Sequence, residues 1–122
     1  MRILVAGGTG FIGSRVVDAL LARGGHEVSV MTREPARACR RAGVAYVAGD
    51  VSDAASLARA TVGIEVVVHA VQFPNHPVEN PRRGWTYEQV DAEGTERMVT
   101  AAKANGIRRF IYLSGAGVRP GR

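Results

Sequence analysis

Seven residues, Gly7-Gly8-Thr9-Gly10-Phe11-Ile12-Gly13, stand between a continuously apolar run, Ile3-Leu4-Val5-Ala6, and a segment whose apolar residues recur at helical spacing. No other feature narrows the fold as far. Gly7, Gly10 and Gly13 give a GxxGxxG spacing, and Gly8, Gly10 and Gly13 also satisfy GxGxxG. A strand that turns at once into a helix while leaving backbone N–H groups aimed at a phosphate needs glycine, because a Cβ would block the bend and the close approach. The last glycine falls where the first helix packs against a strand. A plain turn needs one glycine; three at these offsets predict a dinucleotide-binding turn.

In a chain with 15 glycines the pattern is weak by itself, so its flanks must support it. The preceding strand is apolar throughout, as a strand covered on both faces should be. The following segment places Phe11, Ile12, Val16, Val17, Leu20 and Leu21 on a helix that stops at Gly24-Gly25. A second strand is predicted over 27–32, then a basic helix from about Pro35 that Gly43 ends. A third strand follows over 44–48, then a helix containing Leu57, capped by Ser52 or Asp53 and ending near Gly63. A fourth strand is predicted over 64–70, a long proline-containing loop over 72–84, a long helix over about 85–105, and a fifth strand over 108–113. Alternating strands and helices predict an α/β fold: a doubly wound parallel sheet between two helical layers, with right-handed crossovers and strand order 3-2-1-4-5.

At 122 residues the chain has room for one domain. No apolar stretch approaches the roughly 20 residues that cross a bilayer, and no signal peptide is expected. The single cysteine, Cys39, allows no intrachain disulfide, which suits a reducing compartment and predicts a cytoplasmic protein. A net charge of +5 raises the question of nucleic acid. Aromatic content is only 6%, however, and the pairs Arg40-Arg41, Arg82-Arg83 and Arg108-Arg109 lie in separate segments, so no nucleic-acid partner is expected. His69, His76 and Glu79 match no recognised metal-ligand spacing, and no metal is expected.

In a sheet of this kind the ligand lies beyond the carboxyl ends of the strands, where strand order reverses. A site that prefers NAD presents an acidic residue about 20 positions after the glycines, to bond the ribose 2′-hydroxyl. This chain has Met31-Thr32-Arg33 there. A guanidinium pairs with a 2′-phosphate through two charge-assisted bonds, so Arg33, assisted by Arg37, argues for NADP; Glu34 keeps NAD as the alternative. Asp50 is placed to accept a hydrogen bond from the adenine amino group, with Val51 beside the ring, and the competing reading is a turn or helix-start aspartate. The small side chains after His69 let a cofactor lie against the backbone. His69 itself reads as a packed, satisfied histidine.

Gly7 to Gly13, Gly49-Asp50-Val51, Val68-His69-Ala70, Val90-Asp91-Ala92-Glu93-Gly94-Thr95 and Phe110-Ile111-Tyr112-Leu113-Ser114 together resemble the extended and atypical short-chain dehydrogenase/reductase family, over essentially the whole chain. The nearest flavour is the atypical group of NmrA-like proteins and complex I-associated subunits, beside the epimerase-like members. The resemblance implies an NAD(P)-binding Rossmann domain. It implies that Thr9, Phe11 and Ile12 join Gly7, Gly10 and Gly13 around the pyrophosphate, and that Ala70 and Val71 line the ribose side. It also implies that Ser114 occupies the position of the family's Ser or Thr that hydrogen-bonds the substrate, here a small molecule of unknown identity.

Two departures matter. Asp91 stands where the family usually has asparagine, and the catalytic Tyr-x-x-x-Lys is absent: Tyr46, Tyr87 and Tyr112 are followed four residues later by Asp50, Asp91 and Ala116. The favoured explanation is that residues 1–122 are the N-terminal part of a longer oxidoreductase or epimerase whose remainder holds the tyrosine and the substrate pocket. The alternative is a non-catalytic NAD(P)-binding sensor or structural subunit. A fragment would expose the fifth strand as a sheet edge, which predicts pairing with another chain, including a homo-oligomer.

Overall fold

In a computed structural model that describes residues 1–7, 11–37, 42–71, 82 and 92–112, five parallel strands form one sheet. The strands are β1 (Arg2–Ala6), β2 (Glu27–Thr32), β3 (Val44–Ala48), β4 (Val66–His69) and β5 (Arg109–Tyr112), in the order β3-β2-β1-β4-β5. Helices α1 (Phe11–Arg23), α2 (Ala54–Ala60) and α3 (Gly94–Ala104) follow β1, β3 and β4 in the chain. The predicted strand order is therefore the one observed, and β1 lies at the centre, where the chain leaves to one side for β2 and to the other for β4.

The period of two along each central strand splits the apolar residues between two faces. Ile3, Val5, Val28, Val30, Val66 and Val68 face α1 and pack with Val17. Leu4, Ala6, Met31 and Val67 face the other way, against Leu57 and Ala60 of α2 and Met98 and Ala101 of α3. Two cores, one on each face, make the sheet the middle of three layers. This is why the central strands read as unbroken apolar runs.

Asp53, not Ser52, caps α2: its Oδ1 accepts from the backbone N–H groups of Ala55 and Ser56 at 3.1 and 3.4 Å. Such a cap contributes about 1 kcal/mol. Of the predicted basic helix, Pro35–Arg37 form a 3-10 turn and 42–43 a turn leading into β3, and residues 38–41 lie outside the described residues. The fourth strand is shorter than predicted because Glu65 and Ala70, which donate to Arg2 and Ala6 carbonyls at 2.9 and 2.8 Å, already lie at the ends of its ladder. The inward side of the last helix is formed by Gly94, Met98, Ala101 and Ala102. β3 and β5 are the sheet edges, and on β5 Ile111 and Tyr112 are exposed. No helix of the described residues is long and apolar enough to cross a membrane.

Candidate functional site

All five strands run in the same direction, so their carboxyl ends line one rim of the sheet. Register fixes what stands beside what: Ala6 pairs with Met31 on one side and with His69 on the other, and His69 pairs with Tyr112. Gly7 therefore leaves β1 between the ends of β2 and β4, at the point where strand order reverses. The same rim carries the starts of α1, α2 and α3. The dipole of α1 places partial positive charge there, which favours an anionic ligand, whereas the first N–H groups of α2 are taken by Asp53.

Gly7 has φ +84°, in the left-handed region. A Cβ on Gly7 would meet the Ala70 carbonyl, 2.6 Å from its carbon and 2.9 Å from the Val71 nitrogen. The backbone of β1 thus leaves the sheet pressed against the backbone at the end of β4, a cradle that any side chain would fill. The chain reaches the start of α1 four residues later, and Gly13 is buried within its first turn. This closely packed strand-turn-helix fits a pyrophosphate held by main-chain N–H groups.

Most of the other residues singled out from sequence lie on this rim. Arg33 is exposed in the bend immediately after β2, two residues beyond the Met31 that pairs with Ala6. Arg37 ends the 3-10 turn that follows. Asp50 stands just beyond β3, and Val51 is buried in the core under α2 and α3. Ala70 and Val71 follow β4, half-buried, with Val71 packed on the same core. Ile12 is 46% exposed near the start of α1. Gly8, Thr9, Gly10, Asp91 and Ser114, and the side chains of Phe11 and Arg37, lie outside the described residues.

The turn after β3 is held by several polar contacts. Asp50 Oδ1 accepts from the Ser52 N–H and hydroxyl at 2.9 and 2.8 Å. The Ser56 hydroxyl accepts from the Asp50 N–H at 3.0 Å and donates to the Asp53 carbonyl at 2.8 Å. From α3, the Arg97 guanidinium donates to the Val51 carbonyl at 3.1 Å. Sequence reasoning passed over Ser56 and Arg97. A serine three residues after the capping aspartate is visible in the sequence, whereas a partner 46 residues away is not.

His69 is the other group that sequence reasoning underestimated. It is 1% exposed, on the same sheet face as α3, and its ring is stacked on Phe110 and Tyr112 with centroids 5.8 and 5.7 Å away. Its Nε2 lies 3.1 Å from Thr95 Oγ1, but its buried Nδ1 has no hydrogen-bond partner among the described residues. The expected satisfied histidine is thus satisfied at one nitrogen only. A buried N–H without an acceptor costs more than a buried lone pair, which favours the tautomer with its hydrogen on Nε2, facing Thr95. Burial lowers its pKa from 6.5 to about 4, so the ring is neutral at physiological pH. Among the described residues no three His, Cys, Asp or Glu side chains are grouped to hold a metal ion.

Comparison with known proteins agrees with this geometry. Residues 7–122 match a protein family described as NAD(P)H-binding. The chain is 32% identical over 121 residues to a 3-beta-hydroxysteroid dehydrogenase of Mycolicibacterium neoaurum, covering 96% of this chain and 32% of that protein. Among solved structures, a Thermus thermophilus UDP-glucose 4-epimerase in complex with NAD superposes with a TM-score of 0.79 at 30% identity, covering 100% of this chain and 42% of the other. A short-chain dehydrogenase/reductase superfamily protein from Agrobacterium tumefaciens with bound NAD gives 0.77 at 32% identity, covering 98% of this chain and 34% of the other. The chain spans about a third of the length of the curated relatives it matches.

Proposed function

We infer the role of this protein from the premise that the chain belongs to the NAD(P)H-binding family and is an NAD(P)-binding Rossmann domain with oxidoreductase and epimerase relatives. We propose that it is the cofactor-binding, N-terminal part of an NADP-dependent oxidoreductase or epimerase of the short-chain dehydrogenase/reductase type. The remainder of that protein supplies the Tyr-x-x-x-Lys and the substrate pocket. The length of the relatives supports a longer whole, and so does the exposed β5 edge, which invites a further strand beside it.

The nicotinamide, when bound, supplies or takes a hydride at its C4. This chain's part is to hold and orient the dinucleotide. The glycine turn and the start of α1 hold the pyrophosphate through N–H groups. Asp50 and Val51 hold the adenine, Ala70 and Val71 pass beneath the ribose, and Ser114 hydrogen-bonds the substrate. The observation that carries the NADP preference is Arg33, a guanidinium in the bend that directly follows β2, beside the Gly7 turn.

Titration of NADPH and NADH against the wild type and Arg33→Ala tests it. Wild type should favour NADPH, and loss of a charge-assisted pair with the 2′-phosphate should weaken NADPH about 10- to 100-fold while leaving NADH nearly unchanged. A wild type that prefers NADH, or an unchanged NADPH affinity in the variant, overturns the assignment. The 122 residues alone should bind dinucleotide and turn nothing over. Steady NADPH oxidation by this chain with any carbonyl substrate would refute the division of labour.

A further inference from the structure

We propose that Arg97 is a positioning residue for the adenine end of the dinucleotide. It acts from α3 through the main chain and sets how Asp50 meets the base. The inference rests on the binding mode above and deepens it at one subsite.

The argument starts from how Asp50 is held. Its carboxylate shares Oδ1 with the N–H and hydroxyl of Ser52, and its backbone N–H is held by Ser56. These partners are within six residues, so they shape the turn internally without fixing it relative to the rest of the rim. Val51 supplies that link twice. Its side chain is 6% exposed in the core shared by α2 and α3, and its carbonyl accepts the 3.1 Å bond from the Arg97 guanidinium. This side-chain hydrogen bond reaches the Asp50–Asp53 turn from a different element, α3, 46 residues along the chain.

The guanidinium is itself aimed. Its second terminal nitrogen lies 3.5 Å from Glu93 Oε2, one helical turn back, with both side chains partly exposed. An exposed pair of this kind adds little stability, and its effect here is directional. α3 also carries Thr95, which bonds His69 at the end of β4, where Ala70 and Val71 follow. One short stretch of helix therefore contacts the rim on the adenine side through Arg97 and near the switch point through Thr95. The adenine turn is thereby set at a fixed distance from the cradle that receives the pyrophosphate. A carboxylate that must accept from one exocyclic amino group gains selectivity only if its position is fixed in this way.

The experiment compares binding of NADPH with its hypoxanthine analogue, in which the adenine amino group is replaced by a carbonyl oxygen, to wild type, Arg97→Met and Arg97→Lys. Methionine keeps the apolar stem and removes the donor. Wild type should favour the adenine form by about tenfold, Arg97→Met should reduce that ratio to about two or less, and Arg97→Lys, which keeps a cationic donor, should restore most of it. A purely structural role would lower the melting temperature and both affinities alike with the ratio intact, and that result overturns the proposal. A wild type that binds dinucleotide without distinguishing the two bases also overturns it while leaving the cofactor site standing. A wild type that binds neither dinucleotide instead refutes the binding mode on which the proposal rests.

Discussion

Gly7→Ala is expected to cost the fold roughly 2–5 kcal/mol and to weaken dinucleotide binding at least ~100-fold. Two penalties add. An alanine at φ +84° takes on the left-handed backbone cost, and its Cβ presses on the Ala70–Val71 peptide, which is main chain and cannot rotate away as a side chain would. To relieve the overlap, the end of β4 or the exit from β1 must move, and both form the rim proposed to hold the cofactor. Gly24→Ala separates the two penalties. Gly24 has φ +71° with nothing within 4 Å of its would-be Cβ, so it should lose about 1 kcal/mol and keep full affinity. Thermal melts and NADPH titrations on both variants read the difference. Equal behaviour of the two would show that close packing at Gly7 is irrelevant.

The second large effect is on pH. The native pKa of His69, about 4, lies below its ordinary 6.5, so the unfolded chain takes up a proton that the native one refuses. The stability that this neutral, buried ring contributes is complete above pH ~6.5, declines as pH falls through the interval between the two values, and is fully lost below about 4. The loss integrates to about 3 kcal/mol. The ring faces Phe110 and Tyr112 from β5 and Thr95 from α3, none of which is a carboxylate that would welcome the proton. Urea unfolding between pH 7.5 and 4 should show wild type losing about 3 kcal/mol more than His69→Phe, which keeps the stacked ring and cannot titrate. Parallel pH curves for the two proteins would contradict the assignment.

The contrast between Gly7 and Arg97 shows what could be read from the sequence. Gly7 announces itself because local geometry allows few residues at that turn, and the apolar runs of β1, β2 and β4 announce themselves because burial on both faces leaves no polar position. Both constraints act between neighbours along the chain. The ties that shape the rim act across it: Arg97 reaches a carbonyl 46 residues back, and Thr95 bonds a histidine 26 residues back. No periodicity records those distances.

At the end of α3 away from the rim, the Asn105 amide donates to the Ala58 carbonyl at 3.0 Å and to the Thr61 hydroxyl at 2.7 Å, and that hydroxyl donates to the Leu57 carbonyl at 2.8 Å. With Arg97 on Val51 at the other end, α3 is fastened to the α2 segment top and bottom. Two fastenings remove the freedom to hinge about either one. The two helices are therefore expected to shift together, so that a displacement of α3 would carry with it the turn that bears Asp50.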